Sequence, residues 1–435
     1  MDSKLIIKIK KRSQTSWLIW LLVWLPFLFG TLNDLLKLPW AIRYLLDVAW
    51  IVLVYFQIRS YGFIKQRITN GIATWTVYLL TITFLVYLVQ CQSPLYYLWG
   101  VRNNFRFYAA FLAFSVFLLP QEAEEYTKLF DILFWINCVV SLIQYAFLGL
   151  DGDHLGGIFS TEVGGNGYTN IFFSVIITKS VLFYLEKKET TWQCMTKCMA
   201  ALLIAALAEL KFFFVEFVII LVLSVLFTNF TWRKFWLILG GGAAVTVGAA
   251  LLSILFPNFA NFFSLDWFAE TATSDKGYTS SGDMNRLTAI PMINELWLKT
   301  WGERLFGLGL GNCDTSTFAI VNTPFYEQYG HLHYTWLSYA MIYLECGWIG
   351  LIFYFGFFVL VYFGARKIEK RSEGTVKTYC RISRIMAIMC MIISIYNSSL
   401  RTEAGYMAYF VMAIPFVFGR EFERGRKNYV KTASA

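Results

Sequence analysis

Residues 194–228 read CMTKCMAALLIAALAELKFFFVEFVIILVLSVLFT, an almost continuous apolar tract with two charges close together at its centre. At 1.5 Å per residue a single helix of this length would run roughly 50 Å. The hydrocarbon core of a bilayer is only about 30 Å thick. The tract is too long for one crossing and just long enough for two short ones. Glu209 and Lys211 interrupt it, and such charges are expensive within lipid but natural at an interface. The expectation is a hairpin of two helices, 194–209 and 211–228, turning at Glu209–Lys211.

Outward from this hairpin, comparable apolar runs recur along the whole chain of 435 residues. They fall at roughly 17–36, 40–58, 72–90, 105–119, 129–150, 168–185, 235–256, 334–364, 383–398 and 405–419. A sequence that is 57% hydrophobic and 19% aromatic, with a mean hydropathy of +0.55, is not a soluble domain. Backbone groups in hydrocarbon have no water to bond, so each span must be helical. The chain therefore reads as an all-α, polytopic integral membrane protein of about twelve transmembrane helices, with 1–435 as one membrane domain. Lys4, Lys8, Lys10, Lys11 and Arg12 precede the first run, and no small-residue cleavage site follows it. That run reads as a retained helix, not a removed signal peptide.

Sidedness follows from the basic residues. In alternate connections they number 25 on one side and ten on the other, although the second side contains the longest loop. The positive-inside rule then puts both termini in the cytoplasm. The net charge of +9 is explained by these short loops, and nucleic acid is not an expected partner. On the exoplasmic side lie 91–104, the glycine-rich 151–167, the Glu209–Lys211 turn and a large loop, 257–333. A connection of that length is usually functional or has structure of its own. Within it, Leu287, Ile290, Ile293, Leu296, Trp297 and Trp301 have helical spacing, which predicts an amphipathic helix over 286–302 at the membrane surface. The run 334–364 would span about 45 Å as one helix. A break at Gly347 or Gly350 would leave 334–345 at the outer rim, with His333 and Glu345 both reaching an exoplasmic cavity.

The three histidines, His154, His331 and His333, all fall outside. Histidine is the usual general base near neutral pH. The His331/His333 pair, closing the large loop at a helix mouth, is the stronger candidate; His154 reads as a loop residue. Cations are depleted on the outer face, so Arg102, Arg106, Lys211, Arg286 and Arg401 need a reason. One reason is an anionic ligand, which guanidinium groups bind bidentately. The other is a local partner: Glu209 for Lys211 and Glu403 for Arg401. Eight cysteines show no metal-type spacing and read as packing. GLGLG at 307–311 lacks the Lys-Ser/Thr of a phosphate loop and reads as a glycine turn. GGG at 240–242 reads as close helix packing.

The segments RLTAIPMINELWLKTWGERLFGLGLGN (286–312) and GHLHYTWLSYAMIYLECGWIG (330–350) resemble the large-loop region of the O-antigen polymerase and ligase superfamily. The likeness rests on Arg286 opening an amphipathic helix, Phe306 with Gly307 and Gly309, His333 or His331, and Glu345 with Gly347. It is carried by about 65 residues of motif and by a similar topology. Ligase relatives more often have a serine-arginine pair where Lys211 stands, so the resemblance leans to a polymerase. It implies a metal-independent glycosyltransferase with no cofactor, working on undecaprenyl-diphosphate-linked oligosaccharides at the outer face of the cytoplasmic membrane. His333 or His331 would be the base; Arg286, Lys211 and Arg102 would hold the diphosphate, with Glu345, Glu209 and Arg401 in support. The implied partners are the lipid-linked donor and acceptor and membrane lipids, with a chain-length regulator left open. Trp297, Trp301, Tyr326, Tyr329 and Trp336 are candidates to stack on sugars. The rival within the family is an O-antigen ligase. The rival from another class is a flippase or secondary transporter, for which midspan charge is sparse, Lys179 and Glu216 being the main exceptions.

Overall fold

A computed structural model describes residues 14–61, 69–90, 92–229, 231–255, 283–316 and 318–433. The first part of the expected large loop, 257–282, lies outside the described residues. Among those described there is no strand. The helices are α1 (Gln14–Leu36), α2 (Leu45–Tyr61), α3 (Asn70–Gln90), α4 (Pro94–Phe117), α5 (Pro120–Leu148), α6 (Gly165–Leu185), α7 (Thr191–Leu207) and α8 (Lys211–Phe227). They continue as α9 (Trp232–Leu255), the short α10 (Ala289–Leu296), α11 (Trp301–Phe306) and α12 (Pro324–Tyr329), then α13 (Ser338–Glu369), α14 (Gly374–Tyr396) and α15 (Gly405–Ala433).

Among the described residues seven helices are long and apolar enough to cross a membrane: α1, the stretch Trp40–Arg59 ending in α2, α3, α5, α6, α13 and α14. The arrangement is inside-out relative to a soluble protein. Of the 18 most apolar consecutive residues, 89% are buried in α6 and only 22% in α3. The buried helix is rich in Thr169, Asn170, Ser174, Thr178 and Ser180, whereas α3 exposes Val77, Tyr78, Phe84, Leu85 and Leu88. Large apolar side chains on the outside need a nonaqueous surrounding. The two midspan charges are internally paired. Lys179 Nζ contacts Asp131 Oδ2 at 2.5 Å, and Glu216 accepts from Asn170 and Ser174 at 2.9 and 2.6 Å.

The 194–228 tract folds as the expected hairpin. Glu209 takes a left-handed conformation (φ 51°) between α7 and α8, each 17 residues long. α4 starts well before the expected 105, so Arg102 and Arg106 lie within its length and not at its mouth. Of the 240–242 glycines, only Gly241 meets a neighbour, the Leu221 side chain, while Gly240 and Gly242 face open space. The close-packing expectation therefore holds for one glycine of three.

The expected helix over 286–302 is instead two short ones. Pro291 sits in the first turn of α10, where its missing N–H costs nothing; a start at Arg286 would move it inside. At the other end, fully buried Leu298 turns the chain inward, and Thr300 caps α11 reciprocally with Glu303. α13 is kinked at Gly347 (φ 63°, ψ −160°). The glycine turn docks onto this kink: Leu308 and Gly309 N–H donate to the carbonyls of Leu344 and Glu345, both at 2.9 Å. A Cβ on Gly307 would come within 2.3 Å of the Glu345 backbone, and one on Gly347 within 2.4 Å of Leu305. GLGLG thus lets two backbones touch.

Candidate functional site

Residues 283–316 and 318–337 meet the 397–404 connection through Arg401 and Asp314, and the 149–164 connection meets 208–210 through Asn166, which donates to Asp153 and Ala208 O. His333 has a left-handed backbone (φ 55°) between two single 3-10 turns, Gly330–Leu332 and Tyr334–Trp336. That turn points its ring at a carboxylate: Nδ1 lies 2.6 Å from Asp283 Oδ1. The indole of Trp336 stacks on its face, with centroids 3.8 Å apart. The main chain is tied as well, Met284 N–H donating to Leu332 O at 3.0 Å. Asp283 is 1% exposed and the His333 side chain 35%. A carboxylate accepting from Nδ1–H fixes the tautomer and leaves the Nε2 lone pair as the basic position. Nε2 makes no hydrogen bond among the described residues.

Arg286 follows Asp283 by three residues, so their Cα atoms are at most about 11 Å apart. Its Nε donates to Tyr396 O at 3.0 Å, and its guanidinium carbon lies 4.3 Å from the Tyr396 ring centroid. The same ring stacks on Phe212, 3.9 Å away and 6° from parallel. Phe212 adjoins Lys211, whose Nζ is 3.9 Å from Glu209 Oε2. Tyr396, which the sequence did not single out, therefore joins the Arg286 segment to the Lys211 turn. Tyr339 adds a hydroxyl donated to the Arg286 carbonyl.

Three other expected site residues belong to a separate buried network. Arg102 donates from Nε and Nη2 to Asp47 Oδ2 at 3.1 and 2.9 Å. Its guanidinium also lies over Tyr44 and Trp99. Arg401 pairs with Asp314 at 3.0 Å and not, as expected, with Glu403. Glu403 instead accepts from Arg106 at 3.0 Å and from Tyr168 at 2.7 Å. Burial pushes the Glu403 carboxyl up, but Arg106, Arg43 and the Tyr168 hydroxyl outweigh it and hold the group at about 2. These arginines brace the loop end against α4 and α6.

Glu345 also departs from expectation. It is fully buried, with Oε1 3.3 Å from the Cys313 N–H that donates to it, on the interior side of the Gly347 kink. Among the described residues no hydrogen bond or ion pair joins it to His333. His331 is exposed, and the exposed His154 ring bonds the Thr161 carbonyl at 3.0 Å. Trp297 and Tyr329 are half-buried, packed against Phe325 and against each other. Trp336 and Trp301 remain exposed. Among the described residues seven cysteines are buried free thiols. Among the described residues no three His, Cys, Asp or Glu side chains gather as a metal site would need.

The residue that sequence reasoning missed is Asp283. An acidic group three positions before the singled-out arginine was the available signal, but a loop carboxylate has no periodicity to mark it. No protein-family model matches the chain, and no curated protein does.

Proposed function

We propose that the chain is a polymerase that joins undecaprenyl-diphosphate-linked oligosaccharide units on the outer face of the cytoplasmic membrane. In this reading it crosses the bilayer about twelve times with both termini in the cytoplasm, and the His333 end faces outward. The observation that carries it is the His333–Asp283 pair, with Nε2 left open, on the same short segment as Arg286.

The chemistry is a displacement at an anomeric carbon. The Nε2 lone pair takes the proton of an acceptor sugar hydroxyl, and the oxygen attacks the anomeric carbon of the donor. The bond from that carbon to the diphosphate oxygen breaks, and the diphosphate leaves with the electron pair. Asp283 steadies the imidazolium as it forms, as an orienting carboxylate does in catalytic triads. Arg286 and Lys211 supply positive charge where negative charge grows on the leaving group. Arg102 and Arg401 are given no role at the diphosphate, because their guanidinium groups are held by Asp47 and Asp314.

The test is His333→Ala, scored by the ladder of surface glycan it leaves. The expected result is normal insertion with single, unextended units. A mutant that still makes full-length polymer would sink the proposal. Complete but unattached polymer in a deletion strain would point to a ligase, and lipid-linked units retained in the cytoplasm to a flippase.

A further inference from the structure

At the opposite end of the bundle, the α13–α14 turn and the end of α8 enclose an open cavity of about 640 Å3. Six cations line it, Arg366, Lys370, Arg371, Lys377, Arg381 and Arg384, against the two carboxylates of Glu369 and Glu373. Glu369 is used on the floor, accepting from Arg381 at 2.9 Å and Arg384 at 2.5 Å, and Arg381 also pairs with Glu186. Those two arginines are 4% and 8% exposed. Arg384 lies 4.0 Å from the Phe227 ring centroid, and its buried Nε has no hydrogen-bond partner among the described residues. The other four cations have no carboxylate within ion-pair distance among the described residues. A concave surface with this imbalance concentrates anions.

One wall is apolar, formed by Leu226 and Phe227. Leu226 ends a stripe on α8, Val215, Val218, Val222 and Leu226, at helical spacing and 38 to 69% exposed. A small soluble anion would have no use for that stripe. We propose that the cavity binds the headgroup phosphate of an anionic phospholipid whose acyl chain lies along the exposed face of α8. Arginine forks suit phosphate oxygens, and basic pockets between membrane helices take such headgroups. The site is separate from His333 and does not depend on the proposed reaction.

The test uses the purified full chain in detergent, with lipid binding followed by native mass spectrometry. The probes are phosphatidylglycerol, phosphatidylethanolamine and inorganic phosphate. The variant is Lys370→Gln with Arg371→Gln, two exposed rim residues whose loss removes no ion pair. The control is Lys187→Gln with Lys367→Gln, an equal charge change outside the cavity. The expected result is preference for phosphatidylglycerol over phosphatidylethanolamine, weakened about 30-fold in the cavity variant and unchanged in the control. Equal binding of the two lipids would overturn the proposal. So would an equal loss in the control pair, which would mean general surface charge. Displacement of the lipid by an equal concentration of phosphate would overturn it too, marking a small-anion site.

Discussion

Asp283→Asn separates the charge of the buried carboxylate from its shape. Asparagine keeps an oxygen that can accept from His333 Nδ1, now 2.6 Å from the carboxylate, but offers no negative charge to the imidazolium. With charge centres roughly 4 Å apart, the attraction is about 4 kcal/mol at an effective dielectric near 20. The His333 side chain is 35% exposed, and solvent screening brings this to roughly 2 kcal/mol. The rate of chain extension should then fall about 30-fold. The assay is turnover of a lipid-linked repeat by purified protein, beside an unfolding curve to show that the fold survives. The double variant His333→Ala with Asp283→Asn should be no slower than His333→Ala alone, because the pair acts as a unit. A folded Asp283→Asn protein extending chains within about threefold of the wild-type rate would refute the reasoning. Additive losses in the double variant would do the same.

Arg286→Ala should lower kcat/KM for the lipid diphosphate by about 10- to 100-fold, the worth of a hydrogen bond to a charged group, and Lys211→Ala by less. Unchanged kinetics in both would remove the anion clamp. Gly347→Ala should destabilise the fold by about 2–5 kcal/mol, combining a left-handed φ of 63° with a backbone neighbour at 2.4 Å; an unaltered unfolding midpoint would contradict the account of the kink. Glu403, at about 2 instead of 4.5, contributes about 3 kcal/mol of stability that is fully present above pH 4.5 and is lost as pH falls through 2. Glu403→Gln should remove that dependence and leave Arg106 buried without its charge, so a variant as stable as wild type at pH 7 would disprove the bracing role.

Hydrophobic period was enough to mark the chain as helical and apolar, but it misplaced the start of α4 and merged α10 with α11. The turn at Glu209–Lys211, the break at Gly347 and the α6 span follow from lengths and breakers that act within a few residues. The same local signals singled out His333 and Arg286 as polar groups at a helix mouth. What they could not reach was pairing across the chain. Arg401 was matched to its sequence neighbour Glu403, yet it bonds Asp314, 87 positions away, while Glu403 serves Arg106 on α4. Arg102 looked available until the fold brought Asp47 against it. Glu345 lies inside because the glycine turn presses on its backbone from the far side of the kink. Asp283 acquires meaning only when the 283–286 segment is laid beside Leu332 and His333. Apolar burial is specified residue by residue along a helix, so sequence alone determined the all-helical class and most of the long helices. An ion pair or an oriented base needs two atoms within about 3 Å, and only tertiary structure decides which distant segments meet.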